Sequence, residues 1–112
     1  AFFLEWDRGT ERIAVLLEKL DRYAAYYRTR GVHGGPVPVL LFVTTTPQRE
    51  DTVWRAVATT FGDGNRRVLT TTALLVERLG PFGGIWRAGA DRSRHRWPEA
   101  GVSANKISEV NR

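Results

Sequence analysis

The chain has 112 residues and a formal net charge of +5, from 17 basic and 12 acidic residues. Hydrophobic residues make up 42% and charged residues 26%, which is typical of one globular domain. Because Cys is absent, disulfides, thiolate metal sites and a cysteine nucleophile are excluded. No apolar run approaches the roughly 18 residues of a membrane span, and the first residues lack the features of a signal peptide. We therefore expect a cytoplasmic protein without membrane contact. Met is also absent, which predicts a processed product or part of a longer chain.

The first half of the sequence predicts a strand, a long helix and a second strand. The aromatic-rich segment Phe2–Asp7 predicts a buried strand. Thr10 is a suitable N-cap for the helix, whose apolar residues recur at helical spacing until near Gly31. Gly and Pro residues predict a loop over 32–38. The apolar run at 39–43 is typical of a central strand covered on both faces.

The second half predicts further elements of the same two kinds. A Thr-Pro pair at 46–47 predicts the start of a helix, with Thr as the N-cap and Pro in the first helical position, and Gly62 ends it. A weaker strand over 67–71 and a short helix over 73–79 follow. Residues 85–87 predict one more strand at an edge of the sheet.

Strands that alternate with helices through short connections indicate βαβ units. The predicted fold class is α/β, with a mostly parallel sheet of about four strands and flanking helices. Residues 1–90 are predicted to form this domain. Residues 91–112 form a basic, polar C-terminal tail that is either disordered or docked on another surface.

Two carboxylates on the first strand form a candidate metal and catalytic site. Glu5 and Asp7 are two residues apart, so they project from one face while the apolar residues beside them project from the other. Asp7 lies at the carboxyl end of the strand, where parallel sheets usually bind ligands. With Lys19 on the following helix, the two carboxylates suit Mg²⁺ and a phosphate. Alternatively, Glu5 pairs with a helix Arg and Asp7 organises the turn at 8–10.

Two clusters of basic and aromatic residues are candidate DNA-contacting surfaces, because such side chains bind nucleic acid through charge and stacking. The first lies on one face of the long helix, away from its leucines: Arg12, Lys19, Tyr23, Tyr26 and Arg30. The second lies in the tail: Arg92, Arg94, Arg96 and Trp97. The alternatives are a solvated helix face neutralised by surface ion pairs, and a solubilising tail.

The motifs of several enzyme classes are missing from the sequence. It has no dinucleotide-binding Gly-x-Gly-x-x-Gly after a strand, no phosphate-binding loop ending in Gly-Lys-Ser/Thr and no Gly-x-Ser-x-Gly. Its histidines, His33 and His95, are far apart in loop-like sequence, so His catalysis and a His-based zinc site are not expected. No cofactor is expected, except Mg²⁺ if the protein is a nuclease.

One motif resembles a known family. Residues 3–11 read Phe-Leu-Glu-Trp-Asp-Arg-Gly-Thr-Glu, and residues 17–23 read Leu-Glu-Lys-Leu-Asp-Arg-Tyr. This resembles the replication-relaxation family, which has a strand with Glu-x-Asp-x-Gly-Thr, then a helix with Lys-Leu and a Tyr one turn on. The resemblance implies a bacterial plasmid or mobile-element protein that acts in replication and DNA relaxation. In that family the region follows a winged-helix DNA-binding segment, which implies that this chain is a C-terminal domain.

The same motif is similar to nucleases of the restriction-endonuclease-like fold, where strand acids and a Lys hold Mg²⁺ against phosphate. That similarity implies Glu5 and Asp7 as the strand acids, and Lys19 as a Lys moved onto the following helix. The usual pattern has an acid and a Lys two apart on one strand and another acid upstream. This sequence has neither feature.

The sequence therefore predicts a DNA-associated accessory domain that acts by binding DNA or a replication or transfer protein. The second hypothesis is a Mg²⁺-dependent nuclease that uses Glu5, Asp7 and Lys19. The third is homodimerisation through an exposed face that carries large aromatic residues: Trp54, Trp86 or Phe82.

Overall fold

The computed structural model describes residues 2–33, 38–62, 64–89 and 92–97. In chain order, its elements are β1 (Phe2–Asp7), α1 (Ile13–His33), β2 (Val39–Thr44), α2 (Pro47–Phe61), β3 (Val68–Thr72) and α3 (Ala73–Leu79). Strands and helices alternate, so the predicted α/β class is confirmed.

The strands form one parallel sheet in the order β1-β2-β3. Every residue of the central strand β2 is buried, as its continuous apolar sequence predicts. The register places Asp7 opposite Thr44, and Thr44 opposite Thr72. The carboxyl ends of all three strands therefore meet at one end of the sheet.

One face of the sheet is covered by α1 and α2. Leu16 and Leu20, one helical turn apart on α1, pack with Val53 and Val57 of α2 against Phe42 of β2. All five side chains are buried, and burial of each contributes roughly 1.5–3 kcal/mol. The helical spacing of these apolar residues is what orients both helices on the sheet.

The opposite face is covered by α3 and the chain that follows it. Leu69 of β3 packs there with Ile85 and Trp86, each at most 1% exposed. The Trp86 indole Nε1 donates to the Pro81 carbonyl oxygen at 2.9 Å, which satisfies the one polar atom of this buried ring.

The predicted edge strand at 85–87 is an isolated bridge rather than a strand. Arg87 and Thr70 exchange two backbone hydrogen bonds in antiparallel orientation, at 2.9 and 3.0 Å. The sheet therefore has three strands in the described part of the chain, where about four were predicted. The breaker-rich sequence at 80–84 turns the chain so that only one residue pair aligns with β3.

The ends of α2 follow the sequence closely. The Thr46 hydroxyl accepts a hydrogen bond from the Arg49 amide at 3.1 Å, and Pro47 occupies the first helical position. At the other end, Gly62 has a φ of +88°, which ends the helix in a conformation that favours glycine. Both predicted boundaries of α2 are confirmed.

The predicted boundaries of α1 were wrong at both ends. The helix begins at Ile13, because its first backbone bond runs from the Leu16 amide to the Arg12 carbonyl at 3.0 Å. Thr10 therefore lies outside the helix. The helix continues to His33 instead of ending near Gly31, and the rest of the predicted loop, at 34–37, lies outside the described residues.

Among the described residues, β1 is an edge strand with one uncovered face, not the buried strand that its sequence predicts. Phe2, Leu4 and Trp6 are 49%, 60% and 53% exposed, whereas Asp7 is buried and Phe3 packs against the core between the sheet and the helices α1 and α2. The alternation is the expected one. An aromatic-rich strand has the same sequence whether or not a partner covers it, which is why the sequence could not reveal the exposure.

The described start of the predicted tail is docked on the domain. His95 exchanges two backbone hydrogen bonds with Trp86, at 2.8 and 3.0 Å, and Trp97 packs against the core on the α3 side of the sheet. The remainder, residues 98–112, lies outside the described residues, so the division into domain and tail stays a prediction. None of the described helices is long and apolar enough to cross a membrane.

Candidate functional site

Glu5 is bound by two residues of α1. Lys19 Nζ donates to Glu5 Oε1 at 3.2 Å, and the Tyr23 hydroxyl donates to Glu5 Oε2 at 2.6 Å. Lys19 also forms an ion pair with Glu11, at 3.3 Å. Lys19 and Tyr23 lie one helical turn apart, so both reach the same carboxylate from above the strand. The structure thus brings Glu5 and Lys19 together, as predicted for that site.

This arrangement changes the acidity of both helix residues. Burial lowers the pKa of Lys19, but hydrogen bonds and the charges of Glu5 and Glu11 outweigh it, so that the pKa lies above its ordinary value. Burial and the hydrogen bond to Glu5 raise the pKa of the Tyr23 hydroxyl above its ordinary value. Lys19 is therefore held as a cation and Tyr23 as a neutral donor.

A cavity opens beside this cluster, between β1 and α1. Its volume is about 310 Å³, and its lining combines aromatic, basic and acidic side chains: Phe3, Glu5, Lys19, Arg22, Tyr23 and Tyr26. The Phe3 ring lies 5.6 Å from the centroids of both Tyr23 and Tyr26. The rings meet in tilted and edge-to-face orientations, so the cavity has an aromatic wall and a charged rim.

Asp7 is held by a different helix. Arg49 Nε donates to Asp7 Oδ2 at 2.6 Å, and Arg49 Nη2 donates to Asp7 Oδ1 at 3.0 Å. Arg49 Nη2 also donates to the Glu11 carbonyl oxygen at 2.9 Å. The hydrogen bond to Asp7 raises the pKa of Arg49, and burial opposes this. This forked pair fastens the start of α2 to the end of β1.

The two strand carboxylates therefore face the same side but have separate partners. Lys19 and Tyr23 bind Glu5, whereas Arg49 binds Asp7. Among the described residues, no group of three or more His, Asp or Glu side chains is arranged to hold a metal ion. That Glu5 and Asp7 bind a metal stays a prediction. That Glu5, Asp7 and Lys19 are catalytic also stays a prediction.

The predicted DNA-contacting face of α1 is divided by the fold. Arg12 and Tyr26 are exposed. Lys19 and Tyr23 are half-buried against β1, where Glu5 occupies their polar atoms. Arg30 lies further along the helix and is half-buried. Only part of the predicted surface therefore presents its charge to solvent.

The predicted cluster in the tail is divided in a similar way. Arg92 and Arg96 are exposed, and the Arg92 guanidinium lies 6.0 Å from the Trp54 ring centroid. Arg94 points inward, where Glu50 binds it at 2.6 Å. Trp97 contacts the Phe2 ring with centroids 5.3 Å apart. One arginine and the tryptophan thus stabilise the fold, and two arginines remain at the surface.

Sequence reasoning missed two buried ion pairs. Glu50 is 1% exposed and accepts hydrogen bonds from Arg94 and from the Thr70 hydroxyl. Glu50 lies in the first turn of α2, where the helix dipole favours an acidic residue, so its position has a local explanation. Nothing in the sequence beside Arg49 indicates an ion pair. Their partners lie tens of residues away in sequence, so no local pattern could have identified either pair.

Because several carboxylates are already paired with cations, the surface of the described part of the chain is basic. The exposed carboxylates there are those of Glu18, Asp21 and Glu77. The exposed arginines are more numerous: Arg8, Arg12, Arg22, Arg28, Arg55, Arg66, Arg67, Arg78, Arg92 and Arg96. The other described carboxylates are paired with cations. In the part of the chain that the structure describes, the excess positive charge therefore lies at the surface.

The aromatic residues proposed for dimerisation differ in exposure. Trp86 is 1% exposed, and Trp54 is half-buried, with its indole Nε1 donating to the Gly89 carbonyl oxygen at 2.6 Å. Phe82 is 66% exposed. Of these three, Phe82 alone is available to a partner surface.

Comparison with known proteins gives one match. Residues 1–40 match the family model described as Replication-relaxation, which covers just over a third of the chain. No curated protein and no solved structure matches the chain. The matched residues contain β1, α1 and their Glu5, Lys19 and Tyr23 cluster. The match supports the resemblance to that family and a role in replication; the placement of this chain as a C-terminal domain stays a prediction.

Proposed function

We propose that this chain is a DNA-associated accessory domain of a bacterial plasmid or mobile-element replication-relaxation protein, and that it acts by binding DNA. The observation that carries the proposal is the excess of exposed arginines over exposed carboxylates on the described surface. Such an excess attracts the phosphate backbone and releases its counterions, which gives affinity without sequence recognition. A DNA partner also places the protein in the cytoplasm.

The predicted contact residues that remain exposed are the best candidates for this role. Arg12 offers a charge just before α1 and Tyr26 offers a ring on α1, whereas Arg92 and Arg96 offer charges on the docked segment. Arginines at such positions bind phosphates, and an exposed ring stacks on bases. Lys19 contributes less to DNA affinity, because Glu5 and Glu11 already neutralise its charge.

The internal pairing of both strand carboxylates favours binding over cleavage. A Mg²⁺-dependent nuclease needs carboxylate oxygens that are open to the ion. Here Asp7 is 6% exposed with both oxygens bound by Arg49, and both Glu5 oxygens accept hydrogen bonds from α1. Cleavage would require these contacts to break.

A duplex-binding titration across a salt series tests the proposal. We expect the affinity of the wild-type chain to fall steeply as salt increases. The charge reversal Arg96→Glu weakens binding and lowers the slope of log affinity against log salt by about 1 for each lost phosphate contact. The matched variant Glu18→Arg adds an exposed positive charge and strengthens binding. Absence of salt-dependent binding would contradict the proposal and favour a replication or transfer protein as the partner.

A second candidate function is Mg²⁺-dependent cleavage of DNA. Its supporting observation is the contact between Lys19 and Glu5 on the wall of the cavity, because a nuclease places a Lys beside an acid. The same reactions, run with and without Mg²⁺ and resolved on a denaturing gel, test it. Cleavage that requires Mg²⁺ and is lost in Glu5→Gln would replace the binding proposal.

A further inference from the structure

An apolar strip runs across the uncovered face of β1 and beyond it. Along β1 it consists of Phe2, Leu4 and Trp6, each about half exposed or more. The Phe2 ring contacts Trp97 with centroids 5.3 Å apart, and Trp97 in turn lies 6.3 Å from Phe82. The strip is therefore a continuous surface of large side chains, of the kind that marks an interaction site.

The strip borders an open sheet edge. In the described part of the chain, β1 pairs with β2 alone, so its outer edge has no strand beside it. An edge strand with unpaired backbone groups and exposed apolar side chains is a template for another strand. The backbone and the side chains of β1 thus both favour the addition of a strand.

We propose that two copies of this chain pair through β1 in antiparallel orientation, about a two-fold axis that passes perpendicular to the sheet at Leu4. The two sheets then form one continuous sheet, with α1 of both copies on the same side of it. This proposal goes beyond DNA binding and does not depend on it.

The sequence of β1 is self-complementary in this register. Pairing at Leu4 places Leu4 opposite its own copy and Phe2 opposite Trp6 of the second copy, so all three apolar residues gain cross-strand partners. Moving the axis to Glu5 would place two carboxylates opposite each other, which is destabilising. The Leu4 register therefore fits best.

Charge complementarity also favours a second copy as the occupant. The segment Phe2–Asp7 carries two carboxylates and no basic residue. In the proposed register, Glu5 of the second copy lies opposite Phe3, and Phe3 lines the cavity together with Arg22. Arg22 has no carboxylate partner among the described residues. The Glu5 carboxylate of the second copy, with Lys19 and Tyr23 of that copy still bound to it, would thus arrive beside an exposed guanidinium.

The mass of the chain in solution tests the proposal. Sedimentation or light scattering over a concentration series is expected to show a rise from 12.6 kDa to twice that mass. Leu4→Arg places two like charges on the axis and is expected to keep the chain monomeric. Leu74→Arg is the matched control, because Leu74 is 52% exposed on α3 and lies outside the strip; this variant should dimerise like the wild type.

Cysteine cross-linking reads the register directly, because the chain has no native Cys. Oxidised Leu4→Cys is expected to form a covalent dimer, whereas Trp6→Cys alone is not. A mixture of Phe2→Cys and Trp6→Cys is expected to give a cross-linked pair of the two variants. Circular dichroism of each variant checks that the fold is retained.

Three outcomes would overturn the self-pairing proposal: a monomeric wild type at the highest soluble concentration, a Leu4→Arg variant that still dimerises, or a Leu4→Cys variant without a cross-link. The first would favour a strand from a different protein as the occupant. DNA affinity is measured separately, on wild type and on the Glu18→Arg and Arg96→Glu variants. Failure of DNA binding would leave the cross-linking result unchanged, so the two proposals fail independently.

Discussion

Arg94 and Glu50 lie 44 positions apart and are joined by two hydrogen bonds, from Arg94 Nη1 at 3.0 Å and Nη2 at 2.6 Å. Arg94 Nη1 also donates to the Ile85 carbonyl oxygen at 2.8 Å, and the Thr70 hydroxyl donates to Glu50 at 2.9 Å. Glu50 is 1% exposed. The network therefore fastens the docked segment to both α2 and β3 through one buried carboxylate.

The first prediction concerns this network. Arg94→Ala leaves the Glu50 carboxylate buried without its cation, so the free energy of unfolding should fall by about 3–5 kcal/mol. Arg96→Ala is the control, because Arg96 is exposed on the same segment and should change stability by no more than about 0.5 kcal/mol. Urea unfolding of both variants measures the difference. Equally small losses in the free energy of unfolding of the two variants would show that the pair between Arg94 and Glu50 contributes little.

The second prediction concerns Asp7 and Arg49. The side chains are 4% and 12% exposed and form a forked pair, so removal of either one leaves a largely buried charge. Arg49→Leu and Asp7→Leu should each destabilise the chain by roughly 3 kcal/mol. The double variant should be clearly more stable than the sum of the single effects predicts, because neither charge remains. A double-mutant cycle measured by urea unfolding gives the coupling, and strict additivity would contradict the pair.

The third prediction concerns Gly9, in the turn between β1 and α1. Its φ is +82°, and a Cβ built there would lie 3.0 Å from the Thr45 hydroxyl oxygen. Gly9→Ala should therefore reduce stability by about 1–2 kcal/mol, from the left-handed backbone and the close approach. Gly64→Ala is the control, since nothing lies within 4 Å of a Cβ at that position. Thermal unfolding of both variants checks this, and equal midpoints would contradict it.

Much of the fold could be predicted from local sequence. The unbroken apolar run of β2 predicts a central strand, and Thr46, Pro47 and Gly62 mark the ends of α2 through capping and backbone geometry. These features depend on neighbouring residues alone. The start of α1 was misplaced, because Thr10 has the side chain of an N-cap but lies in the turn that follows Gly9.

The candidate site could be predicted only in part. Alternation along β1 placed Glu5 and Asp7 on one face, and Lys19 was added to them only because it lies on the following helix; the structure joins Lys19 to Glu5 by a hydrogen bond. Arg49 and Arg94 could not be found in this way, because their partners come from elements joined only by the tertiary fold. The exposure of Leu4 was missed for a related reason: an apolar strand residue does not reveal whether its face has a partner.

The last prediction is that the chain loses stability in alkaline solution as Tyr23 and Lys19 lose their protons. Burial and the hydrogen bond to Glu5 raise the pKa of Tyr23 above its ordinary value of 10.0. Glu5 and Glu11 outweigh burial and raise the pKa of Lys19 above its ordinary 10.5. The folded chain therefore keeps protons that the unfolded chain loses. The stabilisation is complete below pH 10.0 and falls as pH rises through the folded-state values.

Tyr23→Phe separates the two contributions. It removes the hydrogen bond to Glu5, so at neutral pH the free energy of unfolding should fall by about 1 kcal/mol. Because one titrating group is gone, the further loss above pH 10.0 should be smaller than in the wild type. Tyr26→Phe is the matched control for the loss of a tyrosine hydroxyl on the exposed side of α1, and at neutral pH it should change the free energy of unfolding by no more than about 0.5 kcal/mol. Urea unfolding at neutral and alkaline pH measures both quantities. An unchanged alkaline slope in Tyr23→Phe would show that the Glu5 cluster does not control this pH dependence.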